Sequence, residues 1–430
     1  MKRHEILLFL VACSVIILGG SIPVLGAPIE IEVWGHETHM NYVEPMVEAF
    51  NAQQDDIVVK LIKREASSDR LIPFILAGVA PDIIYSAGAW DDSYINQGFF
   101  LELSQFAEDE PGFLEDFLPN VLRYADDGGI YSLPYTLQLM GAFHNPVVFA
   151  EAGLEPPQAG WTRDDLRVYS SKILRYENDR IVRWGAVPWT IHQLNMPLLS
   201  QTNVKLITQD YEVLPDPEPL QEMLSWAVEM AQRNLLTYRA EVGWTGTNFD
   251  YAHNTGIAFD ASYRQNLWNE LESPMTVIPM MRWDDSTTLK KGKPDYRSWA
   301  MITGHSDERQ RAAWEFIKFL FEPENVAAFN IGLGYPPSTI STAFSDDFRD
   351  YSMTHNPNMV LWITHYLADE PVEEDKEQTG MWPGEIATNV FPILESVQKK
   401  VLRGEISVVQ AVEMLRSNFT TIVNDFQMKE

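Results

Sequence analysis

The stretch from residue 29 to residue 85 switches repeatedly between two hydrophobic periods, and that switching leaves few folds open. Ile29, Ile31 and Val33 alternate with Glu30 and Glu32, a period of two that predicts a strand. Trp34-Gly35-His36-Glu37 reads as the loop that follows it. Tyr42, Val43, Met46, Val47 and Phe50 then recur at helical spacing behind Thr38, which is the expected N-cap. A β-branched run, Ile57 to Ile62, predicts a second strand. A helix is expected over Ser68 to Ala77, and Pro81-Asp82-Ile83-Ile84-Tyr85 reads as a third strand. Strand, helix, strand, helix, strand means a parallel sheet with helices on its faces, because parallel neighbours need a crossover between them.

Later segments carry clear helix starts. Thr162 to Asp165 forms a capping box ahead of Leu166, Tyr169, Ile173 and Leu174, and Ser407 to Gln410 forms another ahead of Ala411, Val412, Leu415, Phe419 and Ile422. Asp307 to Gln310 opens a helix burying Ala313, Phe316, Ile317 and Leu320. Leu220, Met223, Leu224, Ala227, Val228, Ala231 and Leu235 form one apolar helix face. Pro215 to Pro219 is a stiff connector, and Glu370 to Lys376 is an acidic loop. No internal repeat is evident.

The 430 residues suffice for two lobes with large cores, without disulfides or metals. The formal net charge is −29, which repels phosphate backbones and excludes nucleic acid as a natural partner. At the N-terminus, Lys2 and Arg3 precede an apolar run from Ile6 to Gly20 and small residues at Gly26 and Ala27. That order is a secretory signal, and residues 1–26 are expected to be removed. Leu10-Val11-Ala12-Cys13 offers the alternative of a lipid anchor on Cys13, the only cysteine. No later stretch reaches the roughly 18 apolar residues of a membrane span.

The motifs of catalysis and cofactor binding do not occur. There is no phosphate loop ending in Lys-Ser or Lys-Thr and no G-x-G-x-x-G after a strand. Gly304-His305-Ser306-Asp307-Glu308 lacks the closing glycine of a nucleophile elbow. His36 and His39 are spaced unlike the H-E-x-x-H zinc pair. No cofactor, no metal and no enzymatic activity are expected.

From Ala80 onward a series of short motifs occurs in a set order. Ala80-Pro81-Asp82-Ile83-Ile84 comes first, then Gly98 to Leu103. Asp127-Gly128-Gly129-Ile130-Tyr131-Ser132-Leu133-Pro134 follows, with Asn145, then Ala152-Gly153-Leu154, Pro156-Pro157 and Trp161-Thr162. Gly256-Ile257-Ala258-Phe259, Ala312 to Leu320, Gly334-Tyr335-Pro336-Pro337 and Leu402 to Ser407 complete it. In this order the chain resembles the family 1 extracellular solute-binding proteins, the maltose-binding-protein-like receptors of ABC importers. It departs at His144, where the family usually has Tyr, and at Trp161-Thr162, where the family order is commonly reversed. The resemblance implies a periplasmic-binding-protein-like α/β fold with two lobes, a hinge and an interlobe cleft. The N-terminal lobe would comprise 27–138 plus 275–322, and the C-terminal lobe 139–274 plus 323–430. It further implies an exported monomer in the periplasm or on the outer face of the cell membrane. Such a protein takes a sugar or short oligosaccharide to a membrane permease.

Loops at the C-terminal ends of parallel strands face such a cleft. That rule selects His36 and Glu37 after the first strand, Trp90 and Asp91 after the third, Trp189 after Ala186-Val187-Pro188, and Asp260, Tyr263 and Arg264 after the Gly256 strand. Tyr335 and Trp382 lie in irregular segments expected in the second lobe. By the resemblance, Tyr263 stands where family members place a ligand-stacking ring. Sugars offer C–H faces to aromatic rings and hydroxyls to carboxylates and amides, so Trp beside Asp suits them. A polyamine or polyol receptor, a chemoreceptor ligand-binder and a secreted glycan-cleaving enzyme are the competing readings.

Overall fold

A computed structural model describes residues 27–428 except 65–67, 88–94, 126, 189–197, 200, 203, 209, 238–252, 288–294 and 369–383. The expected signal segment 1–26 with Cys13, and the Glu370 to Lys376 loop, lie outside the described residues. The fold is α/β with two five-stranded sheets. The first contains β1 (Ile29–Gly35), β2 (Ile57–Lys63), β3 (Ile83–Ala87), β4 (Leu133–Gln138) and β10 (Asp295–Met301), in the order β2-β1-β3-β10-β4. The second contains β5 (Met140–His144), β6 (Arg175–Glu177), β7 (Arg180–Pro188), β8 (Thr255–Ala261) and β9 (Thr276–Ile278), in the order β6-β7-β8-β5-β9.

Both sheets bury their two faces, as parallel-rich sheets do. In the first, Val33, Ile83, Tyr85, Trp299 and Met301 share one core, while Trp34, Ile84, Ala300 and Ile302 pack on the other side. In the second, Phe143, Val187, Ala258 and Val277 face a core continuous with the first sheet's. Their neighbours Ala142, Ala186, Ile257, Phe259 and Ile278 face a separate core. That core is filled by the helices Arg163–Ile173, Glu218–Gln232, Gly384–Leu402 and Val408–Gln427. Both expected capping boxes, at Thr162 and Ser407, are formed.

Strand direction sets where the sheets meet. β1 and β3 are parallel, and β10 is antiparallel to both β3 and β4. β4 therefore runs with β1 and β3, and all three end on one side. β5 begins two residues after β4 ends and runs antiparallel to β8, whose parallel neighbour is β7. The starting end of β5 thus lies with the C-terminal ends of β7 and β8. Gln138-Leu139-Met140 joins the two sets of strand ends.

Two expected lobe limits do not coincide with these contacts. β9 lies within the segment expected in the first lobe, yet it pairs with β5 in the second sheet. A three-residue strand carries too little pattern to be assigned to a sheet. The segment 323–333, expected in the second lobe, forms the helix Pro323–Leu333, and its Phe329 packs on Tyr85 and Tyr135 of the first sheet. Ser338 and Pro336 then bond along β4, through Ser338 Oγ to Pro134 O and Leu137 N to Pro336 O. The helix sequence, Pro-Glu-Asn-Val-Ala-Ala-Phe-Asn-Ile-Gly-Leu, carries no marked apolar face to show which sheet covers it.

Close approach of backbone explains Gly185 in β7. A Cβ there would lie 2.7 Å from Ser170 Cα, on the helix Arg163–Ile173. A methyl group must push the helix off the sheet, so Gly185→Ala should destabilise the protein by about 1–3 kcal/mol. A lowered urea midpoint at unchanged m-value is the expected readout; an unchanged midpoint would show that the helix shifts at no cost.

Candidate ligand-binding site

The facing strand ends form the crevice in which ligands of open α/β sheets bind. On the first-sheet side, His36 ends the β1 turn and is the N-cap of the helix Glu37–Gln53. Its Nδ1 accepts from Thr38 N at 3.2 Å, so the cap lies two residues before the expected Thr38, and Glu37 occupies the first helical position. An imidazole capped in this way is not among the usual sequence signals for a helix start. Both His36 and Glu37 are exposed.

On the second-sheet side, Asp260 lies within β8 rather than after it, and its side chain is 1% exposed. Its Oδ1 accepts from Ala261 N at 2.8 Å and lies 3.7 Å from Arg264 Nε. The two charges therefore compensate one another across one turn. Tyr263 stands between them in the 3₁₀ turn Ser262–Arg264. Its side chain lies outside the described residues, as do Trp90, Asp91, Trp189 and Trp382. Tyr335 is buried, and it follows the helix that packs on the first sheet. It therefore belongs with the first-sheet wall, because Pro336 and Pro337 bridge to β4 immediately after it.

The structure adds a group that the sequence reading missed. Arg297 of β10 pairs with Ala87 of β3 on one side and Thr136 of β4 on the other, at the cleft end of the sheet. Tyr85 lies on the same face, two residues down β3, and His39 packs its ring 5.4 Å from that of Tyr85. Burial pushes the Tyr85 phenol well above the usual range; Thr136 and Arg297 pull it back and Tyr335 pushes it up. Thr136 acts on Tyr85 as a side-chain hydrogen-bonding neighbour, and no further partner for either hydroxyl is present among the described residues. His39 is pushed down to about 3, first by burial and then by Arg297 and His36. Strand β10 was missed because Arg297 and Ser298 interrupt its apolar pattern, and its partners lie over 150 residues away. Among the described residues no group of three or more His, Cys, Asp or Glu could hold a metal ion.

The family model for bacterial extracellular solute-binding proteins matches residues 34–327, and the chain belongs to that family. No curated protein matches the sequence closely enough to report. Solved structures with the same fold include the cyclic α-maltosyl-1,6-maltose binding protein from Arthrobacter globiformis, at 19% identity and TM-score 0.72. The match covers 93% of this chain and 100% of that one. An ABC substrate-binding protein from Listeria monocytogenes in complex with cycloalternan matches at 17% identity and TM-score 0.71, over 92% of this chain and 99% of that one. The sugar-binding protein MalE from Xanthomonas citri matches at 16% identity and TM-score 0.70, over 93% and 98%. The fold is the two-lobed periplasmic-binding-protein-like α/β fold.

The depressed His39 value carries a stability consequence. Below about pH 6.5 the unfolded chain protonates this histidine while the folded chain does not until about pH 3. The unfolded state then binds more protons, so stability falls as pH falls through that window. A His39→Gln variant should lose less stability than wild type between pH 7 and pH 4.5 in urea unfolding. Equal losses would show that His39 does not contribute.

Proposed function

We propose that this protein captures a sugar or short oligosaccharide between its two lobes and delivers it to the permease of an ABC importer. The supporting observation is the convergence of strand ends from both sheets on one crevice, in a chain of a solute-binding family. The structural relatives named above are described as a cyclic α-maltosyl-1,6-maltose binding protein, a substrate-binding protein in complex with cycloalternan and a sugar-binding protein, which favours a saccharide here. The protein acts by binding alone, with no bond made or broken. It is exported after loss of residues 1–26 and works as a monomer. Among the described residues no helix is long and apolar enough to cross a membrane.

We place the first lobe at 27–138 and 295–345, and the second at 140–287 and 357–428, following sheet membership and packing. A ligand that touches both strand-end walls only when they close favours the closed state. On this reading Trp90, Trp189, Tyr263 and Trp382 supply stacking area. Glu37, His36, Asp91, Asp260, Arg264 and Tyr335 supply or support polar contacts at the same crevice.

A thermal-shift screen against neutral and acidic di- and trisaccharides tests the function, since a ligand at a hundred times its Kd adds about 2.7 kcal/mol of stability. If no saccharide shifts the melting temperature while a polyamine or polyol does, the sugar reading falls. With a saccharide in hand, Tyr263→Ala and Trp90→Ala should each weaken binding by roughly 1–3 kcal/mol, as loss of an aromatic anchor does. Both should melt near wild type without ligand. Unchanged affinity in both variants, or unfolding of both, would remove these rings from the site.

A further inference from the structure

Of the two arginines near the cleft, only one is neutralised by a described neighbour. Arg264 faces the buried carboxylate of Asp260 at 3.7 Å. Arg297 is partly exposed at the cleft end of β10, yet its Nε is sealed from water and meets no hydrogen-bond partner among the described residues. Tyr85 Oη and Thr136 Oγ1, on the same sheet face, are also buried and meet no hydrogen-bonding neighbour beyond one another among the described residues. The Tyr85 side chain is 2% exposed and Thr136 is fully buried. A buried polar atom left unpaired costs free energy, so the sealed Nε of a partly exposed guanidinium at the strand ends, with two under-satisfied hydroxyls behind it, favours a ligand that satisfies it. A guanidinium and two hydroxyls are all able to donate. The guanidinium requires an acceptor and favours a negatively charged one, and the hydroxyls, which can donate or accept, can turn to donate to the same group.

We propose that the cleft of this protein binds an acidic saccharide, a uronate whose carboxylate is received by Arg297 with the Tyr85 and Thr136 hydroxyls beside it. This rests on the saccharide reading above and specifies its chemical class. A planar carboxylate matches the fork of a guanidinium. A sugar phosphate fits less well. It would bring nearly two negative charges to one described cation, and the neighbouring helix N-terminus is already capped by His36 and carries Glu37 at its first position. His39, held neutral beside Arg297, adds no second charge.

The test is isothermal titration calorimetry of the full-length mature protein with uronate di- and trisaccharides, the same compounds as methyl esters, neutral maltotriose and mannotriose, and a sugar phosphate. At least one uronate should bind at least tenfold more tightly than its ester, and its affinity should fall as salt rises. Arg297→Gln should erase that preference while leaving ester binding within about twofold, and Arg297→Lys should restore part of it. Melting temperature without ligand checks that both variants fold. If Arg297→Gln does not fold, Tyr85→Phe, which removes only the hydroxyl, should still reduce uronate preference severalfold. Tight binding of neutral sugars with no preference for uronates would overturn the inference and leave the saccharide reading intact. Preference for the sugar phosphate would overturn the carboxylate assignment. Binding of no saccharide at all would remove both readings.

Discussion

The architecture of the site depends on one short passage of chain. β4 ends at Gln138 and β5 begins at Met140, so a single residue, Leu139, joins the two sheets. Ser262 fixes this residue from the second sheet. Leu139 N donates to Ser262 Oγ at 3.1 Å, Ser262 N donates to Leu139 O at 2.8 Å, and Ser262 Oγ donates to Leu137 O at 3.1 Å. The passage is buried and short, which forces the ends of the strands on either side to stay close. That closeness sets the C-terminal ends of β1, β3 and β4 beside those of β7 and β8. It also puts the base of the crevice on hydrogen-bonded backbone, leaving movement to the chain's other passages between the sheets.

Charge near the crevice must be weighed at two distances. The chain as a whole is strongly anionic, which repels an approaching anion. At physiological salt, however, fields between exposed charges decay over about 8 Å. A carboxylate inside the crevice therefore responds chiefly to Arg297, whose Nε is shielded from water. The overall charge acts on solubility and on the rate of approach, whereas the local cation acts on the bound state. The compensated Asp260–Arg264 pair adds little net field and serves better to hold the 3₁₀ turn that carries Tyr263.

The parts of this structure that could be read from sequence are those with a strong period. Ile29 to Val33 and Ile57 to Ile62 announce themselves because buried and exposed residues alternate or β-branched residues run together, and the capping boxes at Thr162 and Ser407 are local chemistry. Sheet membership could not be read in this way. β9 is too short to show a period, and the helix Pro323–Leu333 carries no marked apolar face to show what covers it. Among the candidate site residues, the strand-end rule selected His36 and Asp260, but it could not distinguish an exposed cap from a buried carboxylate. Arg297 was invisible because its importance comes from pairing with Ala87 and Thr136, contacts of long sequence separation. Long-range pairing leaves no mark in a local window.

The titrating groups around Arg297 bear on how its surroundings respond to pH. A general acid or base works best when its pKa lies near the working pH, so that both protonation states are accessible. Here burial drives the two neighbours of Arg297 away from that range in opposite directions. Tyr85 is held as the neutral phenol and His39 as the neutral imidazole. Each keeps one protonation state from mildly acidic to mildly basic conditions. Unchanging protonation keeps the hydrogen bonding of these two groups independent of external pH over that range. The burial that makes these groups poor acids and bases therefore also fixes the charge around Arg297, which stays that of the guanidinium alone.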